Sequence, residues 1–115
     1  MCGILGIYSR NIDREQVKKA TETLEYRGPD GEGYFFDNNI AFGHRRLAVI
    51  DLSENAKQPM CNENQDMWIT YNGEVYNFKE IRRELEKKGH QFKSNSDTEV
   101  VLHAYEEWKE NCLQK

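Results

Sequence analysis

Apolar positions change their spacing several times along this chain, and each change marks an element. Gly3-Ile4-Leu5-Gly6-Ile7-Tyr8 is a short unbroken apolar run, which reads as a strand. Asp13 followed by Gln16 three residues on has the form of a helix start. Val17, Ala20, Thr21 and Leu24 then recur at helical spacing on one face, and Arg27-Gly28-Pro29-Asp30-Gly31 stops the helix. Residues 34–36 and 40–44 read as short strands about the turn Asp37-Asn38-Asn39, and Leu47 to Leu52 as a further apolar segment. Residues 53–66 are polar and read as a loop. Met67 to Tyr71 predicts a strand running into the turn dipeptide Asn72-Gly73. Asn77 with Glu80 predicts a second helix that buries Phe78, Ile81 and Leu85 and ends before Gly89. Ser96-Asp97-Thr98-Glu99 is a capping box for a third helix, whose expected apolar face is Val101, Ala104, Tyr105 and Trp108. Strands and helices in runs, without strict alternation, predict an α+β fold.

Length and composition narrow the classes. The 115 residues make one domain at most; 37% are hydrophobic and 31% charged, a globular mixture. A net charge of −4 with no long basic block gives no reason to expect nucleic acid. No apolar stretch approaches the roughly 18 residues of a membrane span, and the N-terminus lacks the basic region and long core of a signal peptide. Cys2, Cys61 and Cys112 share no metal or redox spacing, so free thiols in a reducing cytoplasm are expected. His44, His90 and His103 are scattered, and no metal site is expected.

Cys2 changes the picture, because removal of Met1 would place a thiol and a free amine on one residue. An α-amine titrates at roughly 7.7–8.0, close enough to neutrality to relay a proton for a neighbouring nucleophile. Taken alone, a second-position cysteine is also compatible with simple burial. Five segments in order alter that balance: Met1-Cys2-Gly3-Ile4, Arg27-Gly28-Pro29-Asp30, Gly43-His44-Arg45-Arg46-Leu47-Ala48-Val49-Ile50-Asp51, Asn72-Gly73-Glu74-Val75-Tyr76-Asn77 and Ser96-Asp97-Thr98-Glu99. Together they resemble the N-terminal glutaminase domain of class II glutamine amidotransferases, and most closely the glutamine-hydrolysing asparagine synthetase family. The resemblance covers essentially residues 1–115. Related families typically carry R-G-Y-D or R-G-Q-D where this chain has Arg27-Gly28-Pro29-Asp30. Tyr26 departs from the pattern, which often has His before the Arg.

The resemblance implies an N-terminal-nucleophile hydrolase fold, an αββα sandwich of two antiparallel sheets between helical layers, of which this chain holds a portion. It implies Cys2 as the nucleophile that forms a thioester and releases ammonia from L-glutamine. Asn72 and Gly73 would form the oxyanion hole through a side-chain amide and a backbone N–H. Arg46 would grip the substrate α-carboxylate with its planar fork, and Asp97 and Glu74 would accept from the α-ammonium. Arg46, Leu47, Ala48, Val49 and Ile50 would line the pocket, and the R-G-P-D loop would be a flexible cover. From the residues alone, Asn72-Gly73 is equally a hairpin turn, Asp97 equally first-turn helix chemistry, and Arg45 competes with Arg46.

No Gly-rich phosphate loop precedes a Lys-Ser or Lys-Thr pair, so no cofactor is expected in this chain. ATP and Mg²⁺ are expected only for a C-terminal synthetase domain, to which the ammonia would pass for amidation of aspartate or a related carboxylate. That domain is the expected partner, and homodimer formation stays open. The competing reading is an inactive fragment or a regulatory docking module that keeps the amidotransferase fold.

Overall fold

Each half of the chain closes on its own short antiparallel sheet. The structure is a computed structural model and describes residues 1–115. Its elements are β1 (Gly3–Tyr8), α1 (Arg14–Glu22), β2 (Gly31–Phe36), β3 (Ile40–Arg46), β4 (Met60–Cys61), β5 (Trp68–Ile69), α2 (Phe78–Lys87) and α3 (Asp97–Trp108). Short 3₁₀ segments cover Glu54–Ala56 and Lys109–Gln114. The chain is thus mixed α and β, with two antiparallel sheets and three helices, and it divides into two compact units.

The first unit comprises Met1–Val49, Lys57–Pro59 and Thr70–Gly73. Its sheet has the order β1-β3-β2, with Gly3 opposite Arg45 and Gly31 opposite Arg46. Helix α1 starts where expected: the Asp13 carboxylate accepts from Glu15 and Gln16 N–H, satisfying two orphan donors. The helix buries Val17 and Thr21, whose hydroxyl donates to the Val17 carbonyl at 2.8 Å. A Cβ at Gly43 would collide with the Thr21 side chain, so the bare strand backbone there is what admits the helix. Leu24 lies beyond the helix, which ends at Glu22 with Thr23 as its C-cap. Residues 47–52 form no strand, and Val49, at 67% exposure, faces water.

The second unit comprises Ile50–Ala56, Met60–Ile69 and Glu74–Lys115. Strand β4 falls in the segment expected to be loop. It pairs with β5 through Met60 opposite Ile69 and Cys61 opposite Trp68. Buried Asn62 closes the connection: its Oδ1 accepts from Asp66 and Met67 N–H, each at 3.1 Å. A polar residue that satisfies backbone donors leaves no periodic apolar signal, which is why this hairpin was hidden. Ile81, Leu85, Val100 and Ala104 form the core, with Val75, Phe78, Phe92, Trp108 and Cys112 packed around it.

Three local expectations are corrected here. Asn77 precedes α2 but makes no capping bond; its amide donates instead to the Lys115 carbonyl. On α3, Val100 rather than Val101 joins Ala104 in the core, and Tyr105 is exposed. Asn72-Gly73 makes no hydrogen-bonded turn: the chain runs irregularly from β5 toward α2, and Gly73 has no positive φ. The end of α2 does behave as read: Gly89 has φ 99°, with Gly89 N–H to Glu86 O and His90 N–H to Leu85 O forming a Schellman motif. No helix is long and apolar enough to cross a membrane.

Candidate active site around Cys2

The register that pairs Gly3 with Arg45 carries Cys2 alongside the end of β3. There the Leu47 N–H donates to Cys2 Sγ at 3.3 Å, and the thiol reaches the Leu47 carbonyl at 3.6 Å. These two backbone contacts fix where the sulfur sits. Arg27 Nε donates to the Cys2 carbonyl at 3.2 Å, so the residue is also held through its main chain. Met1 is 68% exposed, and its removal would disturb little packing. Cys2, Cys61 and Cys112 are all free thiols.

The Arg27-Gly28-Pro29-Asp30 segment is braced against the end of β3. Asp30 N–H donates to the Arg46 carbonyl and the Asp30 carboxylate accepts from Ala48 N–H, both at 2.9 Å. Arg45 Nε donates to the Gly28 carbonyl at 3.1 Å, and a Cβ at Gly28 would strike the Arg45 backbone. The missing Cβ at Gly28 is what permits this close approach.

The same contacts separate the two arginines. Successive strand residues point to opposite faces. Arg45 is committed to Gly28 and to the carboxylates of Glu32 at 2.9 Å and Glu25 at 3.2 Å. Arg46 is buried on the other face of β3, beside His44, whose titration its charge influences. Burial pushes the His44 imidazole down to about 4, the Arg46 charge adds to this, and a hydrogen bond with the Tyr71 backbone opposes it. His44 is therefore a neutral ring at neutral pH, with Nε2 buried and unpartnered.

Cys2, Arg46, Leu47, Ala48, Val49, Asn72 and Gly73 all fall in the first unit. Asn72 is half-buried and Gly73 exposed. The Tyr71 ring lies over Gly73, where an added Cβ would sit 2.5 Å from its hydroxyl, and Tyr71 N–H is fixed by Gln58 Oε1 at 2.6 Å. The missing Cβ at Gly73 thus leaves room for a neighbouring ring, a reason absent from the turn reading. Ile50, Glu74 and Asp97 belong to the second unit. Ile50 and Glu74 are exposed, whereas Asp97 is buried at the start of α3 and accepts from Val75 N–H at 2.9 Å. Sequence reasoning missed the Leu47 N–H as the partner of Cys2 and the bracing roles of Arg27 and Asp30. Backbone donors carry no residue signature, and a brace and a cover have the same composition.

The comparisons agree with the motif reading. The profile of the glutamine amidotransferase domain matches residues 1–115. The chain belongs to the glutamine amidotransferase family. Among curated relatives of this amidotransferase chain, asparagine synthetase [glutamine-hydrolyzing] 1 of Bacillus subtilis is 43% identical over 121 residues, covering 100% of the chain and 19% of the relative. Asparagine synthetase [glutamine-hydrolyzing] 3 of the same organism is 44% identical over 119 residues, 98% of the chain and 19% of the relative. Asparagine synthetase [glutamine-hydrolyzing] 1 of Arabidopsis thaliana is 40% identical over 112 residues, 94% of the chain and 19% of the relative. The amidotransferase chain spans about a fifth of the length of these relatives.

Proposed function

We propose that this chain supplies the glutaminase chemistry of an asparagine-synthetase-like enzyme: hydrolysis of L-glutamine to glutamate and ammonia. The observation that carries this reading is the Leu47 N–H directed at Cys2 Sγ, with the Cys2 main chain clamped by Arg27. Once Met1 is removed, the α-amine of Cys2, acting through water, accepts the thiol proton. Sulfur attacks the carboxamide carbon, and the same proton is returned to the departing ammonia as the thioester forms. Water then cleaves the thioester, releasing glutamate and restoring the thiol. The carbonyl oxygen carries negative charge in both steps, and the Asn72 amide with the Gly73 N–H are its donors in this scheme.

Arg46 is the side chain proposed for the substrate α-carboxylate, because it stands directly before Leu47 as the family's arginine does and offers a planar fork. Leu47, Ala48, Val49 and Ile50 supply the pocket lining. Glu74 and Asp97 take the α-ammonium by the resemblance, Asp97 with the oxygen it does not give to Val75. The proposed parent fold is the N-terminal-nucleophile hydrolase sandwich, with residues 1–115 as a single amidotransferase domain. The relatives are named as asparagine synthetases, which supports a C-terminal synthetase domain as the recipient of ammonia. ATP and Mg²⁺ belong to that domain in this scheme, with aspartate or a related carboxylate as acceptor, and the enzyme acts in the cytoplasm.

A glutamate-release assay on the chain with a free Cys2 tests the reading. Glutamate formation that disappears in Cys2→Ala, with an unchanged circular dichroism spectrum, is the expected result. Activity retained in Cys2→Ala would refute it.

A further inference from the structure

Away from Cys2, the second unit assembles three ligating side chains that the sequence holds far apart. His103 and Glu106 lie one turn apart on α3, and His90 follows α2. The two Nδ1 atoms face each other at 3.0 Å. Glu106 Oε2 lies 3.5 Å from His103 Nδ1 and 3.9 Å from His90 Nδ1. The expectation of scattered histidines is therefore corrected for this pair.

The surrounding partners decide which atoms face inward. His90 Nε2 meets the Glu107 carboxylate at 3.2 Å, and His103 Nε2 meets the Glu99 carboxylate at 3.8 Å. A carboxylate can only accept, so the His90 N–H lies on Nε2 toward Glu107, and the His90 Nδ1 lone pair faces His103. With no ion bound, His103 Nδ1–H is the donor that bridges the 3.0 Å gap to that lone pair. Glu106 is oriented from behind, its Oε1 accepting from Asn62 Nδ2 at 3.2 Å. Its Oε2 is buried and has no hydrogen-bond partner. One proton thus serves both ring nitrogens, and the buried Glu106 oxygen beside them lacks a hydrogen bond, a deficit that a cation in the proton's place would make good.

We propose that His90 Nδ1, His103 Nδ1 and Glu106 Oε2 form a binding site for one zinc-class divalent ion, completed by water. Zinc bonds of about 2.0–2.2 Å in a tetrahedron place ligand atoms roughly 3.3 Å apart, so shifts of a few tenths of an ångström close the set. With the ion bound, the Glu107 carboxylate on His90 Nε2 and the Glu99 carboxylate near His103 Nε2 would hold each ring with its Nδ1 toward the ion and raise its basicity. Phe92 packs on the His103 ring at 4.6 Å, and His103 and Asn62 are each 1% exposed, so the site is built into the unit. The ion would pin the segment after α2 to α3, a structural role separate from the chemistry at Cys2.

Calorimetric titration of the metal-stripped chain with zinc chloride tests this, together with the visible spectrum of the cobalt(II)-loaded chain. The expected result is one saturable site, a higher Tm with zinc, and a cobalt spectrum of nitrogen and oxygen ligation. Glu106→Gln, which keeps the Asn62 contact, should weaken binding by at least about tenfold and abolish the zinc-dependent Tm rise. His90→Gln, less buried than His103, should do the same. No saturable zinc binding would overturn the proposal, and the rings would then simply share a proton. A cobalt–thiolate spectrum, or equal binding by Glu106→Gln and His90→Gln, would overturn it as well.

Discussion

Cys2 is fixed at both its main chain and its side chain, by Arg27 and by Leu47, before any substrate arrives. Preorganisation of this kind lets a thiol attack without reorganising its surroundings. Asn72 and Gly73, the proposed oxyanion donors, should be the costliest residues to lose after Cys2 itself. Asn72→Ala is expected to lower kcat by roughly 10²–10³ with little change in KM, measured by glutamate release. Arg46→Lys removes a bidentate fork and should raise the glutamine KM by at least about tenfold while leaving Tm nearly unchanged. A loss of folding in that variant would assign Arg46 to structure instead. At this scale the sequence named candidate residues but not the partners that hold them. Arg45 and Arg46 are adjacent and chemically alike, and only the strand alternation and the acids at positions 25 and 32 separate them.

Elements with a clean period were the most legible. β1 and α2 lie where the apolar spacing places them, and α1 starts where expected but ends before Leu24, with Asp13 and Gly89 at the expected ends. Helix α3 was misread on one face because it buries polar residues as well as apolar ones: Asp97, Thr98, Glu99 and His103 are all enclosed. Buried carboxylates and imidazoles break the hydrophobic stripe without exposing it. Glu99 shows how such burial is tolerated. Its carboxylate accepts from Lys93 N–H, Ser94 N–H and the Ser94 hydroxyl at 2.8, 2.7 and 2.6 Å. The core between α2 and α3 depends on Leu85, which is fully buried. Leu85→Ala should cost about 2–5 kcal/mol, measured by denaturant unfolding. A change near zero would mean that α2 does not anchor the second unit.

For the molecule as a whole, acid should act in two windows. The folded His44 stays neutral down to about 4 because of its burial, whereas an ordinary imidazole protonates near 6.5. As pH falls from 6.5 to 4 the unfolded chain takes up a proton that the folded chain refuses, so stability declines. For Glu99, burial alone would push the carboxyl up, but bonds from His103, Lys93 and Ser94 outweigh it and hold the group at about 2. Its stabilisation is present above its ordinary value of 4.5 and is lost as pH falls toward 2. Melting followed by circular dichroism should show both declines, with the upper one absent in a folded His44→Gln variant. A Tm independent of pH from 6.5 to 4 in the unmodified chain would contradict the His44 assignment.

The family itself was legible from five short segments, since their order and spacing survive without any knowledge of packing. The pairing of Cys2 with a backbone N–H, and of His90 with His103, was not, because both depend on tertiary register. The central claim is that Cys2 is a processed, glutamine-directed nucleophile. Intact mass before and after treatment with a diazo-ketone glutamine analogue tests it most directly. The account predicts loss of Met1 and a single adduct, located on Cys2. A chain with Met1 removed and Cys2 free that takes no adduct, or takes it at Cys61 or Cys112, would contradict the account.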